Sequence, residues 1–288
     1  MQPARSHPAH PLHPPHPPAQ PFFLDARPGR RFCLYHPPQG RPRGAVLHVP
    51  AHAEEMNKSR RMVALQARML AAQGVAVLQL DLYGCGDSDG LSADARWDIW
   101  RDDVLLALAW LGERNDGPLS LWGLRLGCLL ALDAARERPD LASVLLWQPV
   151  TEGAAYLTQF LRLRLAAEML ASTGSAGDTA ALRRELEAGA SLEIAGYTIT
   201  PALAHAIDGA ALGSMTAPSC PVHWLDLAPQ PGRAMAPGRA AIAARLAESG
   251  WTIDTGVVHG PAFWSSQEIA EAPALLDASA MLVGGKAG

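Results

Sequence analysis

The sequence predicts an α/β fold: about eight strands in a mostly parallel sheet, helices on both faces, and a helical cap inserted late in the order. Three observations predict it. Short apolar runs alternate with amphipathic stretches from Pro21 onward, the pattern of strand–helix units that pair side by side in one sheet. A Pro28-Gly29 turn joins the first two runs, which makes an antiparallel hairpin at one edge. The alternation stops at Thr151 and resumes beyond Thr216, so residues 21–150 and 217–285 form the core and 151–216 the cap.

The elements follow in order. Pro21 to Ala26 and Arg31 to Tyr35 flank the turn, and Ala45 to Val49 is a buried strand. Met56 to Gln73 has helical spacing and stops at Gly74, since glycine ends helices readily. Val75 to Leu80 is a strand that runs into LYGCGDSDG. Trp97 to Leu111 is an amphipathic helix. Leu119 to Leu121 leads into WGLRLG, and Arg125 to Arg136 continues as helix. Ala142 to Trp147 is a strand. Within the cap, Ala154 to Ser172, Asp178 to Ala188 and Pro201 to Ala211 read as helices around a segment centred on Gly196. Pro221 to Leu227 and Trp251 to Val258 are strands; Arg239 to Ser249 and Ser266 to Val283 are helices.

Composition narrows the class. The chain has 288 residues, 49% hydrophobic and 18% charged, which suits one large globular unit. A net charge of −4 argues against a nucleic acid partner. Cys33, Cys85, Cys128 and Cys220 are spread without C-x-x-C spacing, as expected of reduced thiols in a cytoplasmic protein. No apolar run approaches the roughly 18 residues of a membrane span, and no basic-then-apolar leader opens the chain. No cofactor or metal is expected. Residues 1–20 are rich in proline and histidine and read as a disordered tail. His7, His10, His13 and His16 recur at every third position, so they would share one face of a polyproline II helix.

Three motifs carry a resemblance. His48-Val49-Pro50-Ala51-His52 follows the third strand. Asp81-Leu82-Tyr83-Gly84-Cys85-Gly86-Asp87-Ser88 follows the fourth. Gly123-Leu124-Arg125-Leu126-Gly127 sits at a strand–helix turn. With His259 after the last strand, they resemble the α/β-hydrolase superfamily: its oxyanion loop, its D-x-x-G-x-G-x-S loop and its nucleophile elbow G-x-S-x-G. AEEMNKSRRM (53–62), WGLRLG (122–127) and YLTQFLRLRLA (156–166) are similar to the second type of hydrolase associated with exosortase A systems. Members of that group accompany bacterial exopolysaccharide and protein-sorting gene sets. The resemblance supplies no substrate.

The elbow departs from the superfamily at its centre. Arg125 stands where the nucleophilic serine would be, and a guanidinium cannot attack a carbonyl. Beside a helix N-terminus, with the N–H of Leu126, it forms an expected anion receptor. A structural ion pair with Glu54 or Glu55 is the competing reading. His52, Glu54 and Glu55 occupy the oxyanion-loop region and are counted with the substrate site, although acids there also suit a helix start. The resemblance makes His259 the catalytic histidine. Asp226, at the end of the seventh core strand, is the candidate acid to orient it. Cys85, Ser88 and Cys128 are weaker nucleophile candidates.

The leading expectation is a hydrolase of an acyl ester or thioester, small or carrier-bound, in which His259 and Asp226 activate water and Arg125 holds the anion. The leucines and aromatics of the cap favour an apolar acyl tail. The alternative is a non-catalytic protein that binds a carboxylate- or phosphate-bearing ligand or a partner protein.

Overall fold

The structure is a computed structural model that describes residues 18–170 and 177–283. The histidine repeat of the tail lies outside the described residues. Eight strands form one sheet: β1 (Gln20–Asp25), β2 (Arg30–His36), β3 (Gly44–Val49), β4 (Val75–Leu80), β5 (Leu119–Leu124), β6 (Ser143–Trp147), β9 (Val222–Ala228) and β10 (Ile253–His259). Their order is β1-β2-β4-β3-β5-β6-β9-β10. β1 and β2 pair antiparallel, β2 pairs antiparallel with β4, and the ladders from β4 to β10 are parallel.

The central strands β3, β5 and β6 are buried along their whole length. That explains their unbroken apolar runs, because parallel strands are covered on both faces. On one face, α2 (Trp97–Gly112) and α3 (Leu126–Ala135) pack through Val104, Leu108, Leu129 and Leu132. On the other lie α1 (Glu54–Ala72) and α8 (Pro273–Val283), whose Met62, Leu70, Leu275 and Leu276 meet Trp122 and Trp147. Helix α7 (Pro237–Glu248) connects β9 to β10.

Between β6 and β9 come α4 (Gly153–Leu170), α5 (Thr179–Glu187), a hairpin of β7 (Leu192–Ile194) and β8 (Tyr197–Ile199), and α6 (Pro201–Gly209). The inserted segment is therefore not purely helical. Ala195 and Gly196 both take positive φ, which closes a two-residue hairpin. A second difference concerns the last helix, expected from Ser266. It begins at Pro273, because a residue before proline is pushed out of the α region and proline suits the first helical turn.

The loop Asp81 to Ser88 is structural. Asp81 Oδ2 accepts the Asp87 N–H at 3.0 Å and lies 3.3 Å from Arg60 Nη2. Ser88 Oγ donates to the Asp81 carbonyl at 2.5 Å and accepts the Phe32 N–H at 2.8 Å. Its hydroxyl thus ties the loop to β2.

Candidate active site at the elbow

The sharp turn between β5 and α3 is set by close packing. A Cβ on Gly127 would lie 2.2 Å from the Pro50 carbonyl oxygen, and one on Gly123 would lie 2.6 Å from Cys128 Cα. Only glycine lets the third-strand loop, β5 and α3 approach this closely. Arg125 between them is not helical as expected: it caps α3 with φ 55° and ψ −118°. A side chain in this sparsely populated region is strained and needs surroundings that hold it. Its N–H donates to the Trp147 carbonyl at 3.0 Å, and its carbonyl accepts the Cys128 and Val150 N–H groups at 3.1 and 3.2 Å. Arg125 is thus held in a strained backbone conformation at a sharp strand–helix turn, with a side chain that cannot act as a nucleophile.

Its side chain meets Glu55, in the first turn of α1. Nε and Nη2 donate to Glu55 Oε1 at 3.1 and 3.0 Å, and Nη1 donates to the Gln148 carbonyl at 3.3 Å. The guanidinium lies 5.1 Å from the ring centre of Trp264, in the loop after β10. Both partners are largely buried, with side-chain exposures of 14% for Arg125 and 21% for Glu55. Arginine has five N–H groups, so two of them have no acceptor among the described residues. Glu55 Oε2 is buried and has no hydrogen-bond partner among the described residues. Burial pushes the Glu55 carboxyl above its ordinary value, against the pull of Arg125.

Residues from the inserted segment roof the elbow. Tyr156 on α4 shares a 3.0 Å hydrogen bond with His52 Nδ1. The His52 ring also packs against Phe160 and Trp100, with centroids 5.1 and 5.8 Å away. Burial lowers the His52 pKa to about 4, so the imidazole is neutral at pH 7. Burial, with the nearby Glu55 charge, pushes Tyr156 well up. Glu54 points elsewhere: it is exposed and accepts the Tyr197 hydroxyl at 3.4 Å. Leu126 is buried, and as the first residue of α3 its N–H has no acceptor within the helix. Beside it, His52, Leu82, Trp97, Trp100 and Leu130 bound an apolar cavity of only about 10 Å³. That is about the volume of one water centre, so an acyl chain must displace side chains to enter.

Asp226 and His259 do not form the expected pair. Asp226 Oδ1 accepts the indole N–H of Trp224 and Arg239 Nη2, both at 2.6 Å, and Oδ2 accepts Arg239 Nε at 2.6 Å. Arg239 comes from α7 and also donates to the Pro149 carbonyl at 3.0 Å. A bidentate guanidinium fork leaves such a carboxylate little capacity for another donor. His259 ends β10, opposite Ala228 in register, and is exposed. Its ring makes no hydrogen bond or ion pair among the described residues. The two residues fall on the same side of the sheet, two register positions apart, but Arg239 takes the acid. As for the cysteines, burial raises Cys85 to about 12 and moves Cys128 up as well, so neither is an activated thiol.

The structure therefore brings Arg125, Glu55 and Leu126 together at the elbow, with His52 in the roof above. It leaves Glu54 and His259 outside the hydrogen-bonded group and locks Asp226 into a separate pair. Sequence reasoning placed Tyr156 among the apolar residues of the cap but gave its hydroxyl no partner, and it missed Gln148, Trp264 and Arg239. Only Arg239 left a signal, and an indirect one: residues 227–238 hold no acid, and Arg239 is the second arginine after Asp226.

Comparison with known proteins agrees with the fold. A family model described as serine aminopeptidase, S33, matches residues 40–186. The chain belongs to that family of α/β-hydrolases. The matched span includes the turn between β5 and α3, whose central residue in this chain is Arg125. Curated relatives include the mitochondrial palmitoyl-protein thioesterase ABHD10 of Pongo abelii, 32% identical over 101 residues, 35% of this chain and 31% of that protein. The Homo sapiens protein of the same name is 32% identical over 95 residues, 33% of this chain and 29% of that protein. The chain thus matches less than a third of the length of these relatives. Among solved structures, Est1E from Butyrivibrio proteoclasticus with bound ferulic acid superposes with a TM-score of 0.63 at 17% identity, covering 91% of this chain and 97% of that one. A putative hydrolase from Agrobacterium vitis gives 0.57 at 16% identity, covering 84% and 90%. At such identities the likeness is one of fold.

Proposed function

We propose that this chain acts on an acyl ester or thioester at the elbow without forming an acyl-enzyme. The observation that carries this reading is Arg125 itself, held at φ 55° in the nucleophile's position with two N–H groups unused. Those donors suit the acyl oxygen, where negative charge develops as water adds to the carbonyl. The N–H of Leu126 lies next in the chain for the same purpose. Water is then the nucleophile, and His259 at the carboxyl end of the sheet is the side chain to take its proton and return it to the alcohol or thiol that leaves as the acyl C–O or C–S bond breaks. Without a covalent nucleophile the turnover is slow, by several orders of magnitude. The apolar wall around Leu126 and the thioesterase names of the curated relatives support an acyl substrate. The likeness of segments 53–62, 122–127 and 156–166 to exosortase-associated hydrolases of the second type supports a place in an exopolysaccharide-linked pathway and leaves the acyl carrier open. Four free cysteines are in keeping with a cytoplasmic site of action. Among the described residues, no helix is long and apolar enough to cross a membrane.

A second reading, a non-catalytic receptor for a carboxylate- or phosphate-bearing ligand, is favoured by the engagement of Asp226 with Arg239. The deciding experiment is turnover of short and long acyl esters and thioesters by the purified parent, His259→Ala and Arg125→Gln. The proposal expects slow release by the parent, loss in both variants, and no acyl adduct on the protein by mass spectrometry. Release no faster than that of His259→Ala would favour the receptor.

A further inference from the structure

Three features of the elbow bear on what it holds after the acyl bond is cut. Arg125 gives three N–H groups to Glu55 Oε1 and the Gln148 carbonyl and keeps two free. Glu55 leaves Oε2 buried with no partner among the described residues. The apolar cavity beside Leu126 adjoins the loop that carries His52 and leads into α1. A carboxylate seated on the two free N–H groups would lie beside the Glu55 carboxylate, with one guanidinium between two negative charges. Two carboxylates on one guanidinium leave a net negative charge in a largely buried site, which favours uptake of a proton by one of them. The unpartnered oxygen of Glu55 is where that proton fits, because protonation turns an unsatisfied acceptor into a donor toward the ligand.

We infer that the elbow is a proton-coupled binding site for the carboxylate of a free fatty acid, with Arg125 as the anion receptor and Glu55 Oε2 as the proton's seat. This deepens the function proposed above and rests on its placing of the acyl group at Arg125. No bond is made or broken: one carboxylate and one proton enter together, and the site keeps its net charge.

The surrounding groups leave Glu55 to take the proton. Arg125 on the elbow carries its positive charge throughout. Tyr156 on α4 is pushed well up by burial and keeps its hydroxyl proton, while His52, before α1, has a pKa lowered to about 4 and stays neutral. Glu54, the neighbour on α1, is exposed and bonded to Tyr197 on β8. From the β10 side, Trp264 covers the guanidinium and brings no charge, and His259 is exposed and bonded to none of these groups. Burial already disposes Glu55 to protonation.

The test is calorimetric titration of the full chain with octanoate near neutral pH, in two buffers of different ionisation enthalpy and free of phosphate. The difference in apparent heat counts the protons taken up. We expect one proton per octanoate bound, and affinity falling about tenfold for each unit rise in pH. Glu55→Gln should bind octanoate without proton uptake, and Arg125→Gln should not bind it. Binding without proton uptake by the parent overturns the inference, as does uptake that survives in Glu55→Gln or a failure of octanoate to bind. The parent's proton count needs no variant, so a poorly folded Glu55→Gln does not weaken it. Turnover of thioesters is a separate readout: its absence would fail the proposed hydrolysis and leave the proton count to judge this site.

Discussion

Arg125 and Glu55 stabilise each other more than either stabilises the fold alone. Arg125→Ala leaves a mostly buried carboxylate without its cation, a loss of about 3 kcal/mol by the usual cost of breaking such a pair. Glu55→Ala leaves an arginine that still has Gln148 and Trp264, so its cost is smaller. The double variant should be less destabilised than the sum of the singles, with a coupling of about 1–3 kcal/mol. Urea unfolding of the four proteins at neutral pH measures it, and additive losses would show that the pair is not coupled. The Arg125→Ala penalty also has a defined pH dependence. The folded value of Glu55 lies above 4.5, so the stability it contributes is present below its ordinary value and lost as pH rises through the folded one. The penalty should therefore shrink in mild acid.

At the scale of elements, α4 closes the elbow. Tyr156 and Phe160 stack on each other nearly parallel, 7° apart, and both reach the His52 ring. Phe160 is buried, so Phe160→Ala removes a large apolar volume at a cost of about 3–5 kcal/mol. The same change opens space beside a cavity that is otherwise nearly filled. Longer acyl chains should gain affinity over short ones in this variant, read from a chain-length series of fatty acids. An unchanged preference would mean that the tail leaves the elbow by another route. The lost contacts show why the site was only partly legible in the sequence. Arg125 stood out because glycines at fixed spacing mark an elbow, and Glu55 because it begins a helix beside the third strand. Tyr156 and Trp264 lie 31 and 139 positions beyond Arg125 in the chain, so no local spacing reports them; only the assembled sheet brings them to the elbow. Asp226 failed for a related reason. Its place at a strand end was read correctly, but the α7 arginine that takes it comes from a packing no periodicity encodes.

At the scale of the molecule, alternating apolar runs were enough to give the sheet, since each central strand is buried on both faces and cannot be confused with an exposed one. That same burial encloses polar side chains, and three histidines, His52 of the elbow with its pKa lowered to about 4 and two in the sheet, make the fold sensitive to acid. His36 at the end of β2 shares a 2.8 Å hydrogen bond with the Gln79 side chain, and burial lowers its pKa to about 4. His48 in β3 lies 3.2 Å from the Trp122 carbonyl, and burial lowers its pKa to about 3. Both are 4% exposed. The unfolded chain binds their protons near 6.5 and the folded chain only at these lower values, so the unfolded state holds more protons throughout that window. Stability is then fully present above about 6.5 and lost as pH falls toward 4 and 3, by roughly 3 kcal/mol or more for each histidine. Glu55 and Asp103, both raised by burial, act in the opposite direction and partly offset the loss. Urea midpoints measured at neutral pH and in mild acid should fall steeply for the parent. They should fall less for His36→Gln, which keeps a polar partner for Gln79 and has no proton to gain. A parent whose stability is level across that range, or a His36→Gln slope equal to the parent's, would show that these imidazoles do not govern its acid unfolding.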